Sequence, residues 1–322
     1  FSVLMGYGGN AADNTNWYDT NTVIAHALGS VDGRNETNSK EAFLQSYEKG
    51  IRVMEADMVM TSDNVLVIRH DFDQDSYYNL EQKVLNGSTN MSINRYVNEK
   101  ICFKYTPLTA RALILLMKQY EDVFVVTDSK NTDTNTIKQQ FQQLVAEAQK
   151  EGCEDVLDRF IVQIYNKEML NTVKSVYDFK NYIFTLYQLN NPDYEDIGLF
   201  CMENGIDVVT ISKDALSQEK VNILKRYGLK VYTHTLNRLL DVQAVKSIGV
   251  DGVYSDILTP DDMLLINAGV KTSSKATLSK NNKNSDLKIF AQPDKNLVPI
   301  NYFLTALKDL EINYYYELEN NI

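Results

Sequence analysis

The chain has 322 residues, of which 44% are hydrophobic, and a formal net charge of −11. Such a length can bury one large core, and α/β barrels often run past about 250 residues as a single domain. The acidic balance argues against binding of nucleic acid through its phosphate backbone, because that mode needs a basic surface. A phosphorylated ligand would therefore be held by local positive groups, either a bound cation or a few lysines and arginines.

The three cysteines, Cys102, Cys153 and Cys201, are too few and too widely spaced for a disulfide framework or a zinc site of paired thiolates. We expect them to be buried or free thiols. No stretch approaches the roughly 18 apolar residues of a membrane span. Residues 1–5 are apolar and could be the remnant of a removed signal or anchor, although an arbitrary chain end explains them equally well.

From residue 22 onward, short β-branched runs alternate with longer segments of helical period, the pattern of repeated βα units on a parallel sheet. Eight such units predict a (β/α)8 barrel of the TIM type. The predicted strands are 23–25, 53–60, 123–127, 160–164, 182–186, 208–211, 230–233 and 252–254. The predicted helices are 39–49, 109–120, 134–151, 167–176, 192–204, 217–227, 238–247 and 260–268.

Several helix ends carry recognisable signals. Ser39 and Thr134 precede apolar periodicity as N-caps would, and Pro260 suits a first helical position. Gly205 and Gly228 stand where helix C-termini need a positive φ.

Two regions depart from the βα rhythm. Residues 71–107 are polar and rich in Asn, Tyr and Ser, which indicates an insertion of about 71–108 at one barrel mouth. After the barrel, taken as 1–272, a Ser, Lys and Asn cluster at 273–285 indicates a linker. The rest of 273–322 is interpreted as a C-terminal appendage with no assigned function.

A first chemical group is Glu55-Ala56-Asp57, inside the second predicted strand. Strand alternation places both carboxylates on one face, with Met54, Ala56 and Met58 on the other. Like charges that are buried together need a cation, a proton or a basic side chain between them. A hard divalent ion, Ca²⁺ or Mg²⁺, meets that need through oxygen ligands, although a solvated strand face would also tolerate the pair.

The other groups follow strand ends as well. His26 and the pair His70-Asp71 come directly after apolar runs, and Asp128 and Lys130 follow the third strand. Imidazole is the natural proton carrier near neutral pH. Taken alone, however, each histidine could have a purely structural role, and Asp128 and Lys130 could form a surface ion pair. The three groups together favour a functional site over these separate structural roles, because strand ends converge on the catalytic mouth of a (β/α)8 barrel.

His234 ends the seventh strand and is interpreted as a residue that lines the substrate site. A packing or capping role is an equal alternative, so we give it no catalytic step.

With these residues placed, the chain resembles the glycerophosphodiester phosphodiesterase family over about residues 22–263. The resemblance rests on an ordered set of motifs rather than on any one of them. They are Ile24-Ala25-His26, Asn38-Ser39-Lys40-Glu41-Ala42-Phe43, Glu55-Ala56-Asp57, Leu66-Val67-Ile68-Arg69-His70-Asp71, Thr127-Asp128-Ser129-Lys130, Thr235-Leu236-Asn237 and Gly249-Val250-Asp251-Gly252-Val253-Tyr254-Ser255-Asp256.

Two departures place the chain in a divergent branch of that family. Ala27, in His-Ala-Leu-Gly, stands where the family has the arginine of its His-Arg-Gly motif, so a phosphate ligand is missing there. Arg34, Arg69 or Lys130 could substitute from other positions. The second departure is Asp128, where the family usually has glutamate. In the motif Thr235-Leu236-Asn237, His234 stands in the place of the family's tryptophan.

The resemblance implies a metal-dependent phosphodiester hydrolase that acts on glycerophosphodiesters or related (lyso)phospholipid head groups. One divalent cation, Ca²⁺ or Mg²⁺, would be bound by Glu55, Asp57 and Asp128. His26 and His70 would act as general acid and base, in an order that the sequence leaves open. Lys130 and His234 would contact the substrate or its phosphate.

The expected partner is a small phosphodiester or lipid head group. We expect no binding of nucleic acid, and we expect that the protein could lie near a membrane surface. An extracytoplasmic or membrane-associated location in a bacterium is expected, with a cytoplasmic one as the alternative. The rival function is a weak or inactive barrel that binds phospholipid head groups or sugar phosphates. Partner binding by the C-terminal segment and sugar hydrolysis by Glu55 and Asp57 are further alternatives, the latter disfavoured because both carboxylates share one strand.

Overall fold

The computed structural model describes residues 16–267, which contain ten strands and eleven α-helices. The strands are β1 (Val23–Ala25), β2 (Val53–Met60), β3 (Leu66–Ile68), β4 (Leu108–Thr109), β5 (Phe124–Asp128), β6 (Phe160–Ile164), β7 (Asn181–Thr185), β8 (Val208–Ser212), β9 (Lys230–His234) and β10 (Gly252–Ser255). The helices are α1 (Trp17–Thr20), α2 (Lys40–Glu48), α3 (Gln74–Asn79), α4 (Ile93–Asn98), α5 (Ala110–Gln119), α6 (Thr134–Lys150), α7 (Lys167–Lys174), α8 (Tyr194–Asn204), α9 (Gln218–Arg226), α10 (Leu239–Ser247) and α11 (Pro260–Asn267).

Eight of these strands form a closed parallel barrel. Their order is β1-β10-β9-β8-β7-β6-β5-β2, and pairing of β1 with β2 closes the ring through Ala25 and Met54. Each barrel strand except β2 is followed directly by a helical segment, whereas β2 is followed first by the β3 and β4 strands. The predicted (β/α)8 barrel is confirmed, and its carboxyl ends all open at one mouth.

Alternation along the strands separates two apolar clusters. One lies inside the barrel towards its amino end and joins inward-facing residues of the eight strands to Trp17 of α1. Its buried strand members are Ile24, Val53, Val126, Ile161, Ile183, Val208, Tyr232 and Tyr254. The larger cluster, which includes Met54, Ala56 and Met58, fills the layer between strands and helices. Full burial of such a side chain contributes about 1.5–3 kcal/mol, so both layers hold the barrel closed.

The region after β2 is folded around a small core of its own. β2 continues past the barrel and pairs antiparallel with β3, which pairs in turn with β4. Between β3 and β4, helices α3 and α4 bury Tyr77 and Tyr96 against Val67 and Met91. The Tyr96 hydroxyl donates to the carbonyl oxygen of Ile68 at 2.7 Å. This extension lies over α2, where the Lys40 amide donates to Thr106.

The helix-end predictions have mixed outcomes. Ser39 caps α2 by accepting a hydrogen bond from the Ala42 amide, and Gly205 has φ 67° at the C-terminus of α8. Thr134 is not the N-cap of α6, contrary to the prediction, but its first helical residue. Asp133 is the cap instead, because its carboxylate accepts from both the amide and the hydroxyl of Thr136 at 2.8 Å.

The three cysteines are buried and free, as expected. Across residues 16–267, no helix combines the length and the apolar character that crossing a bilayer requires. The predictions for residues 1–5, for the 273–285 linker and for the C-terminal appendage lie outside the described residues.

Candidate active site

Three carboxylates meet at the carboxyl-end mouth of the barrel, as the sequence predicted. Glu55 and Asp57 face inward from β2, and Asp128 ends β5 beside them, in register with Asp57. One oxygen from each side chain lies within 4.8 Å of the others. Glu55 and Asp57 are 2% and 1% exposed, so solvent does not screen their charges.

Two of the carboxylate oxygens are held by fixed donors. The Ala27 amide donates to Glu55 Oε2 at 2.7 Å, and the Asn38 side chain donates to Asp57 Oδ2 at 2.7 Å. The remaining oxygen of Glu55, Oε1, is buried without a hydrogen-bond partner among the described residues. An unpaired buried carboxylate oxygen is costly, so this atom is available to a ligand that reaches the mouth.

Burial and neighbouring charges shift the pKa values of all three carboxyl groups. Burial raises the pKa of Glu55 well above its ordinary value, and the charge of Asp57 raises it further. Burial and the same neighbour raise the pKa of Asp128. Burial acts in that direction on Asp57 too, but the charges of Lys130 and His70 outweigh it, so the pKa of Asp57 is lowered.

Lys130 provides the positive charge nearest to the cluster. Its Nζ lies 2.6 Å from Asp57 Oδ1 and 4.0 Å from Asp128 Oδ2. Burial lowers the pKa of Lys130, but the charges of the two aspartates more than compensate and raise it. Tyr165 fixes this corner, because its hydroxyl accepts from the Lys130 amide at 2.8 Å and donates to Asp128.

The donor set fits a hard divalent cation. Carboxylate oxygens are the ligands that Ca²⁺ and Mg²⁺ prefer, and the unpaired Glu55 Oε1 points to a missing positive partner. Glu55, Asp57 and Asp128 would hold such an ion, beside the Lys130 Nζ that contacts Asp57 Oδ1.

A partly buried histidine–aspartate pair lies next to the carboxylates. The His26 Nδ1 atom is 2.8 Å from Asp256 Oδ1, which follows β10, and Asn237 donates to the other oxygen of Asp256 at 2.5 Å. Burial lowers the pKa of His26, but the hydrogen bond to Asp256 and the charge of Glu55 raise it overall to about 10. An Nδ1–H donated to Asp256 leaves Nε2 as the reactive nitrogen.

His70 follows β3 and approaches the cluster from the side of Asp57. The amide of the preceding residue, Arg69, donates to the Asp57 carbonyl oxygen at 2.9 Å, and the His70 charge is among those that lower the Asp57 pKa. The structure therefore brings His70 to the side of the cluster, whereas His26 lines the mouth together with Glu55 and Asp128.

His234 lines the mouth beside the carboxylates. Its ring makes edge contacts with Tyr187 and Tyr254, at centroid distances of 5.6 and 6.1 Å. Burial lowers the pKa of His234 to about 4, and the charge of His26 adds to the effect, so the ring is neutral near pH 7. Its Nε2 has no hydrogen-bond partner in the described chain, which leaves it free for a ligand.

The position where the family's arginine was expected carries no cation. Ala27 is fully buried in a left-handed turn with φ 48°, and its amide serves Glu55 instead. Arg34 pairs with Glu81 on the surface, and Arg69 is buried against Gln82 in the insertion. Neither replaces the arginine, so Lys130 is the candidate phosphate ligand that lies in the site.

Four residues of the site were not assigned roles from the sequence. Asn38, Tyr165, Asn237 and Asp256 position the carboxylates, Lys130 and His26 through the hydrogen bonds given above. Asn38, Asn237 and Asp256 stand inside the motifs that carried the resemblance, which was an available signal. Tyr165 follows β6 without a comparable pattern.

A closed barrel with clustered carboxylates and a partly buried histidine–aspartate pair at its mouth is a (β/α)8-barrel enzyme site suited to acid/base chemistry. The family model described as "Glycerophosphoryl diester phosphodiesterase family" matches residues 29–259, which is more than half of the chain. The chain belongs to this family, and its enzyme class is that of the phosphoric diester hydrolases. A comparison with curated proteins gives no match.

Solved structures share the fold at low sequence identity. A glycerophosphodiester phosphodiesterase from Parabacteroides distasonis is 15% identical with a TM-score of 0.61, covering 78% of this chain and 99% of its own. An Oleispira antarctica phosphodiesterase, solved with the product sn-glycerol-3-phosphate, is 16% identical with a TM-score of 0.55, covering 77% and 98%. An Agrobacterium tumefaciens glycerophosphodiester phosphodiesterase is 15% identical with a TM-score of 0.53, covering 77% and 100%.

Proposed function

We propose that this protein hydrolyses glycerophosphodiesters with the help of one divalent cation, Ca²⁺ or Mg²⁺. The observation that carries the proposal is the cluster of Glu55, Asp57 and Asp128 within 4.8 Å, beside the His26–Asp256 pair. The Oleispira antarctica phosphodiesterase, whose fold the chain shares, was solved with sn-glycerol-3-phosphate as product, which supports a glycerol phosphate ester as substrate.

The bound cation would neutralise charge on a non-bridging phosphate oxygen as a Lewis acid. The three carboxylates would hold it, and Lys130 Nζ, which lies between Asp57 and Asp128, would provide a second positive contact for the phosphate. The acidic chain would thus bind an anionic ester through local positive groups.

His26 and His70 would carry the protons of hydrolysis. The oxygen of a water molecule bonds to phosphorus while the bond from phosphorus to the ester oxygen breaks. One histidine takes a proton from that water, and the other gives a proton to the departing alcohol. Asp256 fixes the ring of His26 for either role through Nδ1. The products are a phosphomonoester and a free alcohol.

The test combines substrates, metals and variants. Purified protein is assayed on glycerophosphocholine, glycerophosphoethanolamine and lysophospholipids, with a chelator and after return of Ca²⁺ or Mg²⁺. We expect release that depends on the cation, and a fall in kcat of about 100-fold or more in His26→Ala and in His70→Ala. Tyr78→Ala is the control, because Tyr78 is an exposed residue outside the site. Near-wild-type turnover in both histidine variants contradicts the proposed proton carriers.

One observation favours a second candidate, a barrel that binds head groups or sugar phosphates without turnover. Ala27 is buried in the turn after β1, so this turn lacks the cationic side chain that the family motif would place there. Binding of glycerol 3-phosphate in the absence of hydrolysis, with every metal tried, would support this candidate over the enzyme.

A further inference from the structure

A second, larger cavity opens next to the candidate active site. It has a volume of about 500 Å³, within the range of small-molecule sites, and lies at the carboxyl ends of β7 and β8. The loop after β7, with Leu186 and Tyr187, forms one wall, and Ile211 and Ser212 of β8 form another. None of the site residues assigned above lines this cavity.

Tyr187 connects the cavity to the active site. Its side chain lines both the cavity and the carboxylate mouth, and its ring lies 5.8 Å from that of Tyr165, which holds Asp128. The next residue, Gln188, donates to the Lys130 carbonyl oxygen at 3.3 Å. A diester with its phosphate at the carboxylates therefore has room for one of its two alcohols in the cavity.

The lining of the cavity selects the chemistry of that alcohol. Asn190, Asn191 and Ser212 offer amide and hydroxyl groups, and Tyr194 presents an aromatic ring. None of the described residues that line it is acidic. Lys220 Nζ lies 5.4 Å from the Tyr194 ring and donates to the Ala215 carbonyl oxygen at 2.6 Å.

This arrangement disfavours a cationic head group. A quaternary ammonium is recognised by aromatic rings without a competing cation, but Lys220 already occupies the face of Tyr194. The positive charge of Lys220 would repel the cationic group of choline or ethanolamine. Hydroxyl groups, in contrast, can pair with the amides, the serine and the ammonium donors of this wall.

We infer that the cavity at the ends of β7 and β8 binds an uncharged polyol of sugar or inositol size, as the alcohol that the phosphate links to glycerol. The inference rests on the proposed function and names its substrate class. The cavity has room for a six-carbon ring, and its amide, hydroxyl and ammonium groups suit a ring that carries several hydroxyl groups.

The test compares kcat/KM for glycerophosphoinositol and glycerophosphocholine, with bis(4-nitrophenyl) phosphate as a reference substrate. We expect the wild type to prefer the inositol ester by about tenfold. Lys220→Glu should move that ratio about tenfold towards choline, because a carboxylate would then face the head group. The fold should hold, since Ser217 caps α9 and glutamate three residues later completes a capping box.

Lys213→Glu is the matched control, because Lys213 is exposed in the turn after β8 and does not line the cavity. It should leave the ratio within about twofold, since exposed charges act weakly. A wild type that prefers choline, or equal changes in the two variants, overturns the inference.

Calorimetric binding separates this outcome from failure of the proposed function. Inositol 1-phosphate and phosphocholine are titrated into the same three proteins in the presence of Mg²⁺. If no diester is hydrolysed, the proposed function fails, and the cavity is judged by binding alone. The inference about the cavity is supported if the wild type binds inositol 1-phosphate more tightly than phosphocholine and Lys220→Glu abolishes this preference. Equal binding of both ligands by the wild type overturns the inference.

Discussion

At the scale of single residues, the charge state of His26 depends on a partner 230 positions away in the chain. Burial alone would lower the pKa of this histidine, yet the hydrogen bond to Asp256 and the charge of Glu55 raise it to about 10. A raised histidine pKa means that the folded state binds the proton more tightly than the unfolded chain, whose histidine titrates near 6.5. The pair therefore stabilises the fold fully below about pH 6.5, and this stabilisation is lost as the pH rises through 10.

We predict that Asp256→Asn lowers the pKa of His26 and removes that pH-dependent stability. With a chelator present, the difference in unfolding free energy between wild type and variant should be largest below about pH 6.5 and shrink towards pH 10. NMR titration of the His26 ring gives the pKa, and urea unfolding at several pH values gives the free energy.

Asp261→Asn removes an exposed carboxylate of α11 and is the control for this experiment. It should change neither the pKa of His26 nor the pH dependence of stability. A stability difference between wild type and Asp256→Asn that is constant with pH would show that Asp256 acts only through packing.

The predictable part of the site came from local pattern. Strand alternation is enough to place Glu55 and Asp57 on one face, and an apolar run that stops before Asp128 marks a strand end. Asp256 and Asn38 were not assigned because their partners, His26 and Asp57, lie on other strands or strand ends and meet them only in the folded barrel. Periodicity and spacing do not reveal such pairs, although both residues stand inside motifs that carried the resemblance.

At the scale of elements, β1, β2 and β6 have the bounds that were predicted, and the other five barrel strands differ by one residue at one or both ends. Apolar, β-branched runs between turn signals are strong indicators of buried parallel strands. The β3–β4 pairing was not predicted, because β4 has only two residues and exists through its contact with β3. Helix α1 was missed for a similar reason, since four residues show no helical period.

Helix α1 nevertheless covers the amino end of the barrel, and this leads to a stability prediction. Trp17 is 5% exposed and its ring lies 5.8 Å from Tyr232 within the inner apolar cluster. Trp17→Ala should lower the free energy of unfolding by about 3–5 kcal/mol, the usual cost of truncating a buried large aromatic residue. Urea unfolding followed by far-UV circular dichroism measures the change.

Tyr78→Ala provides the comparison, because Tyr78 is an aromatic residue that is 84% exposed in the insertion. Its effect should stay within about 0.5 kcal/mol, as for most surface substitutions. If Trp17→Ala were equally mild, α1 would not be a structural part of the barrel.

At the scale of the whole molecule, the barrel holds like charges together at the mouth. Parallel pairing holds β2 beside β5, which brings Glu55, Asp57 and Asp128 within 4.8 Å of one another. The raised pKa values of Glu55 and Asp128 express the cost of that arrangement. The fold and the site are therefore coupled, since whatever neutralises the cluster also stabilises the barrel.

That coupling predicts that Ca²⁺ or Mg²⁺ raises the thermal unfolding midpoint of chelator-treated protein. At a concentration about 100 times Kd, an ion that binds only the folded state adds about 2.7 kcal/mol of stability. The gain should be larger at pH 8 than at pH 5, because protons compete for Glu55 and Asp128, whose pKa values are raised. Asp128→Asn should reduce the gain sharply, whereas Asp241→Asn, a change at an exposed ion pair with Arg238, should leave it intact. Differential scanning calorimetry measures all three proteins, and a gain of equal size in Asp128→Asn would place the ion elsewhere.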